Sequence, residues 1–154
     1  SNGALGTAIL RDAATGRFVY VPNRNASGTD TFTFQVINGD RRSNVATMTV
    51  VVAPINDAPV ARAGRLVAQS GAEVNGTLEA SDVDSPSLTY AIQADERVPG
   101  TLTLVDPSTG RFSFEPAPGF SGTAAFTFMV TDDTGLTDRA RVTIAVRRRA
   151  QGRN

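Results

Sequence analysis

The 154-residue sequence has no cysteine, no histidine, no tryptophan and no lysine, so all of its 15 basic residues are arginine. Without a thiol, an imidazole or an amine there is no thiolate or imidazole chemistry, no Schiff-base lysine and none of the usual zinc ligand sets. Serine and threonine are abundant, but no ordinary base is present to activate their hydroxyls. An adjacent carboxylate pair, Asp95 and Glu96, is a poor fit to glycoside hydrolysis, which needs two acids flanking a cleft. The sequence therefore reads as non-enzymatic. No run approaches the apolar length of a membrane span, and the first residues do not resemble a signal peptide. A phosphate-cradling glycine loop and a basic, aromatic-interleaved surface for nucleic acid are both missing. The lack of disulfides does not by itself fix the compartment.

What is present is a repeat. The stretch from Gly6 to Val52 returns as Gly100 to Val146, an offset of about 94 residues. Each copy reads GT, D-x-x-TGRF, a proline, SGT, FTF and V, and together they make about one and a half units of a tandem array. Apolar content of 40% suffices for a sandwich core. In Thr31-Phe32-Thr33-Phe34-Gln35-Val36 and Ala125-Phe126-Thr127-Phe128-Met129-Val130, apolar residues alternate with polar ones, the period of a half-buried strand. Met48, Val50 and Val52 alternate likewise, as do Val142, Ile144 and Val146. Thr15-Gly16 and Thr109-Gly110 read as hairpin turns that send Phe18, Tyr20, Phe112 and Phe114 inward. In the second unit the pattern predicts strands at 62–68, 74–80, 88–93, 101–105, 111–115, 125–131 and 139–146. Seven short strands with no sustained 3.6-residue period indicate an all-β Greek-key sandwich.

The expected organisation is the C-terminal half of a repeat at 1–53, a proline-stiffened linker at 54–60, a complete repeat at 61–147 and a basic tail at 148–154. The half repeat leaves the faces of Phe18, Phe32 and Phe34 without covering strands, which reads as excision from a longer array, the alternative being that the fragment pairs with another chain to hide its edge and apolar face. Formal charge is zero, but Arg147, Arg148, Arg149 and Arg153 crowd the C-terminus and read as a solvated end.

Acidic and amide residues gather in three places: Asn56 and Asp57 in the linker, Asp82 and Asp84 after the second strand, Asp132 and Asp133 after the sixth. In a sandwich of this type all three lie at one pole. Hard oxygen ligands on flexible loops suit calcium better than magnesium. The alternative is that these are ordinary turn residues, with Asp82 and Asp132 bonding their own backbone. Asp12 and Asp106, ahead of the TG turns, read as turn formers.

The linker Ile55-Asn56-Asp57-Ala58-Pro59-Val60, the run Gly76-Thr77-Leu78-Glu79-Ala80-Ser81-Asp82-Val83-Asp84 followed by Leu88-Thr89-Tyr90, and the Thr-Gly, Ser-Gly-Thr and Phe-Thr-Phe series resemble the bacterial cadherin-like tandem repeats, including those of large secreted RTX-type adhesins. The resemblance covers nearly everything except the tail. It implies an immunoglobulin-like or cadherin-like sandwich, stiffened by calcium at the inter-repeat junction and strung in extracellular or cell-surface arrays for adhesion or spacing. Implied ligands are Asn56, Asp57, Asp82, Asp84 and Asp132. Implied partners are neighbouring repeats and a cell-surface protein or glycan, with no nucleic acid and no membrane insertion. Pro54 stands where cadherins place a further acid, and Ser85-Pro86-Ser87 replaces an acid-containing turn, so one calcium site is expected. Asn38 takes the place of Asp132 in the first unit. The competing function is a carbohydrate- or ligand-binding accessory module of a secreted enzyme, for which Phe120 is the aromatic without an evident strand face.

Overall fold

Alternation with period two lets a strand bury one face and wet the other, and it governs this chain throughout. A computed structural model describes residues 2–93 and 98–148, which hold fifteen strands and no helix. The chain divides into two units, Ser1–Ile55 and Asn56–Asn154.

The first unit comprises β1 (Gly6–Asp12), β2 (Arg17–Pro22), β3 (Gly28–Phe34), the short strands β4 (Ile37–Asn38) and β5 (Arg41–Arg42), and β6 (Ala46–Val52). They pair as antiparallel hairpins: β1 with β2, β3 with β6, β4 with β5. Gly16 closes the first hairpin at φ 72°, a left-handed conformation that glycine adopts without a Cβ penalty. Phe18 and Phe34 are 37% and 43% exposed, whereas Phe32 is only 6% exposed. The expectation that Phe32 lacks cover is thus corrected. The Phe18 ring meets it edge-on at 5.1 Å and the Tyr20 ring stacks on it at 6.4 Å. Beside them, Leu10, Phe34, Ile37 and Met48 line an open cleft of about 800 Å³.

Asp30 is buried and accepts hydrogen bonds from the amides of Ala4, Leu5 and Thr31, at 2.9 Å each, and from the Tyr20 hydroxyl. Burial, together with the neighbouring carboxylate, pushes the Tyr20 hydroxyl up to about 12. At the matching positions of the repeat the second unit has Phe114 and Ala124. This polar lock therefore belongs to the first unit alone.

The second unit comprises β7 (Val60–Arg62), β8 (Gly64–Gln69), β9 (Val74–Thr77), β10 (Glu79–Ser81), β11 (Thr89–Ile92), β12 (Gly100–Asp106), β13 (Arg111–Pro116), β14 (Gly122–Thr131) and β15 (Thr137–Arg147). One sheet has the order β11-β14-β15-β8, the other β12-β13-β9, and β10 pairs with β7. Two strands expected to be continuous are each split. The first divides at Ala63, because β7 pairs with β10 while β8 runs parallel to β15, with Gly64 opposite Val142. The second divides at Leu78, whose amide donates to the Gly110 carbonyl at 2.9 Å while its side chain fills the core at 2% exposure.

Phe112, Phe114, Phe126, Phe128, Val142 and Ile144 face one another from the two sheets and are all buried. Phe112 and Phe126 pack edge to face at 5.2 Å. The result is the two-layer core of a β-sandwich.

Candidate metal centre

Three segments of the second unit carry the acidic and amide residues singled out above: Asn56 and Asp57 ahead of β7, residues 82–85 after β10, and residues 132–134 after β14. Hydrogen bonds tie the three together. The Asn56 amide nitrogen donates to Asp132 Oδ2 at 2.7 Å and to Thr134 Oγ1 at 3.0 Å. The Asp57 backbone amide donates to Asp84 Oδ2 at 2.7 Å. The Ser85 hydroxyl donates to Asp133 Oδ1, joining the second segment to the third.

Each loop also holds itself. Asp132 Oδ1 accepts from the Thr134 amide at 2.9 Å, the Thr134 hydroxyl at 3.0 Å and the Leu136 amide at 2.8 Å. Asp82 Oδ1 accepts from the amides of Asp84 at 2.8 Å and Ser85 at 2.9 Å. These are the local turns that aspartate favours because its short carboxylate reaches its own backbone. Asp12 and Asp106 do the same ahead of their glycine turns, accepting from the amides of Ala14 and Ser108 at 2.9 Å. Hydrogen bonds from the Ser108 hydroxyl and amide and from Thr109 hold the Asp106 carboxyl down to about 2.

Asp132 is 7% exposed. Burial pushes its carboxyl up, but the Asn56 amide, the Thr134 hydroxyl and the amides of Leu136 and Thr134 outweigh burial and hold it below the ordinary carboxylate value. A carboxyl lowered by folding contributes stability that is fully present above the unfolded value of about 3.9 and is lost as pH falls through the lower folded value. Melting temperatures measured from pH 6 down to pH 2 are expected to fall most steeply in that acid range. Asp132→Asn is expected to flatten the slope, and an unaltered slope would show that this carboxyl is not depressed.

The second Asp82 oxygen, Oδ2, is buried with no hydrogen-bond partner. Buried carboxylate oxygens are ordinarily satisfied, and an orphan of this kind fits a cation. The donors present, carboxylates and an amide, have the hard oxygen chemistry that calcium takes. Asp132 and Asp84 instead turn oxygens toward linker N–H groups. Among the described residues no group of three or more acidic, histidine or cysteine side chains is placed to hold a metal ion.

Sequence reasoning did not single out Thr134 and Ser85 as partners, although the Asp-x-Thr spacing at 132–134 signals the turn that makes Thr134 one. Asp138, also missed, accepts from the Ala61 amide at 2.9 Å. No local pattern marks that pairing, which joins β15 to β7. Phe120 is half-buried against the sandwich core. Asp95, Glu96, Arg149 and Arg153 lie outside the described residues.

Residues 1–51 match the bacterial Ig domain family, and residues 56–148 match the bacterial cadherin-like domain family. None of the curated proteins compared matches the chain. Among solved structures, human CDH23 EC21-23 is similar at 21% identity with a TM-score of 0.59, over 95% of this chain and 62% of that one. Human mucin-like protocadherin EC1-2 is similar at 18% identity with a TM-score of 0.58, over 95% of this chain and 82% of that one. An endo-fucoidan hydrolase from glycoside hydrolase family 107 reaches a TM-score of 0.50 at 21% identity, over 97% of this chain but only 23% of the hydrolase. These likenesses are of fold. No helix among the described residues is long and apolar enough to cross a membrane. By the match over residues 56–148, more than half of its length, the chain belongs to the bacterial cadherin-like domain family.

Proposed function

We propose that the chain is a structural or adhesive repeat module of an extracellular or cell-surface bacterial protein, non-catalytic in itself and stiffened by calcium at the pole of its second unit. The supporting observation is the orphaned, buried Asp82 Oδ2 within a loop already bonded to the linker. Asp82, Asp84 and Asp132 would hold the cation, with the Asn56 side-chain oxygen and Asp57 completing the shell. Calcium supplies charge neutralisation there, and the chain supplies the fixed turns that bring the carboxylates together. Phe120, the aromatic named for the accessory-module reading, is half-buried against the core, which favours the structural reading over that alternative.

Thermal melts of the whole chain in calcium and in EDTA test the proposal. Calcium at a hundredfold over its Kd is expected to add about 2.7 kcal/mol, a rise of at least ~10 °C for a domain of this size. Asp82→Asn with Asp84→Asn is expected to abolish the rise. Identical curves in calcium and EDTA would reduce the module to a plain spacer.

A further inference from the structure

The hairpins of the two units are built on one plan. Gly6–Asp12 pairs with Arg17–Pro22 in the same register as Gly100–Asp106 with Arg111–Pro116, down to the irregularity before the aspartate. Gly28 opposite Val52 and Phe34 opposite Ala46 likewise match Gly122 opposite Val146 and Phe128 opposite Ala140. What the second unit packs on its hairpins therefore shows what the first can hold.

In the second unit β8, β9 and β11 pair with β15, β13 and β14 respectively. The Leu78 amide donates to the Gly110 carbonyl at 2.9 Å and the Tyr90 amide to the Pro107 carbonyl at 2.8 Å, and both side chains are buried. A Cβ on Gly110 would lie 3.1 Å from the Leu78 Cβ and 3.3 Å from Tyr90 Cδ2. In the first unit the counterparts of Gly110 and Pro107 are Gly16 and Ala13, and both line the open cleft with Leu10, Phe34 and Val36. A Cβ on Gly16 would meet nothing within 4 Å. The cleft is thus the seat that Leu78 and Tyr90 fill in the second unit. Among the described residues, β2, β3 and β6 each pair with one strand only, so the edges beside the seat are open as well.

We infer that this cleft seats the N-terminal half of a cadherin-like repeat, a segment with the chemistry of residues 60–93. Its leucine would donate an amide to the Gly16 carbonyl, and its tyrosine would lie against Phe34 as Tyr90 lies against Phe128. A glycine must cross Phe18, because a Cβ on Gly76 would lie 2.5 Å from Phe112 Cζ. Main-chain pairing along the open edges gives such a segment affinity, and the two side-chain seats give it selectivity. A second copy of the chain is the poorer occupant: its first unit presents the same concave cleft, and its own β8, β9 and β11 are held by its second unit. The inference extends the repeat-module reading without resting on calcium, since the cleft and the pole have no residue in common. The calcium melts can fail while the cleft still binds.

The test is calorimetric titration of the full chain, in EDTA, with a synthetic peptide of residues 60–93, and with a scrambled peptide of the same composition as control. One peptide of natural sequence is expected to bind per chain. Leu10→Asp with Val36→Asp, at positions 60% and 63% exposed that can change without unfolding the unit, is expected to weaken binding tenfold or more, because carboxylates would then face an apolar occupant. Leu78→Asp in the peptide is expected to do the same. In a second arm, residues 60–96 are joined ahead of Gly3 of the full chain, where the repeat offset places them. Protection of the β3 and β6 amides from hydrogen exchange is expected to rise tenfold or more. The inference is overturned by equal binding of the scrambled peptide, by undiminished binding to the doubly substituted chain, by exchange that neither the peptide nor the joined segment slows, or by a dimer of the full chain that the same two substitutions dissociate.

Discussion

Phe128→Ala is expected to destabilise the second unit by about 3–5 kcal/mol, while the same change at its repeat counterpart, Phe34→Ala, costs the first unit about 1 kcal/mol. Both phenylalanines end an identical Phe-Thr-Phe run, and both point to the same side of their strands. Phe128 is 0% exposed, with the Tyr90 ring 6.2 Å away, and the second sheet packs over it. Phe34 is 43% exposed at the rim of the open cleft. Removing the first leaves a cavity lined by atoms that cannot all collapse, whereas removing the second mainly returns partly wetted surface to water. A domain of this size holds about 5–10 kcal/mol in total, so Phe128→Ala would consume much of it. Urea titrations followed by circular dichroism measure both variants; equal losses would mean that the first unit has a covered core after all.

The second large effect is expected at a glycine. A Cβ at Gly100 would lie 2.2 Å from the Glu115 carbonyl oxygen and 2.9 Å from the Pro116 Cα, and the backbone there has φ +151°. Backbone atoms of the paired strand cannot swing aside as a flexible side chain would. Strain and overpacking together are expected to cost Gly100→Ala about 2–3 kcal/mol. Gly119 is the control, with φ +76° and no heavy atom within 4 Å of the place a Cβ would take. Gly119→Ala loses only what its left-handed backbone costs an alanine, about 1 kcal/mol. Matching urea midpoints for the two variants would refute the close approach of β12 to β13.

Much of this was legible in the residues themselves. The Phe112, Phe126 and Val142 series showed its inward parity by alternation alone, because a strand's side-chain period is fixed by backbone geometry. The turns at Gly16 and Gly110 were legible for a similar reason, since few other residues tolerate positive φ. The breaks at Ala63 and Leu78 were not legible, because each follows from where a distant strand receives the chain: β15 for β8, and the Gly110 carbonyl for Leu78. At the pole, the sequence named the acids, but a list of acids does not say which oxygen meets which donor. Asp132 turned out to serve Asn56, Thr134 and Leu136, and Asp82 to keep one oxygen unpaired.

The sequence by itself determined the repeat, the strand faces, the turn positions and the absence of thiol, imidazole and amine chemistry, all of which are local properties of spacing and composition. Only the tertiary structure decided that Phe32 is covered while Phe34 is not, and that β8 runs parallel to β15. It also decided how the three acidic segments share their hydrogen bonds. Those outcomes depend on pairing between residues far apart in the chain, and local backbone preference carries no record of such partners.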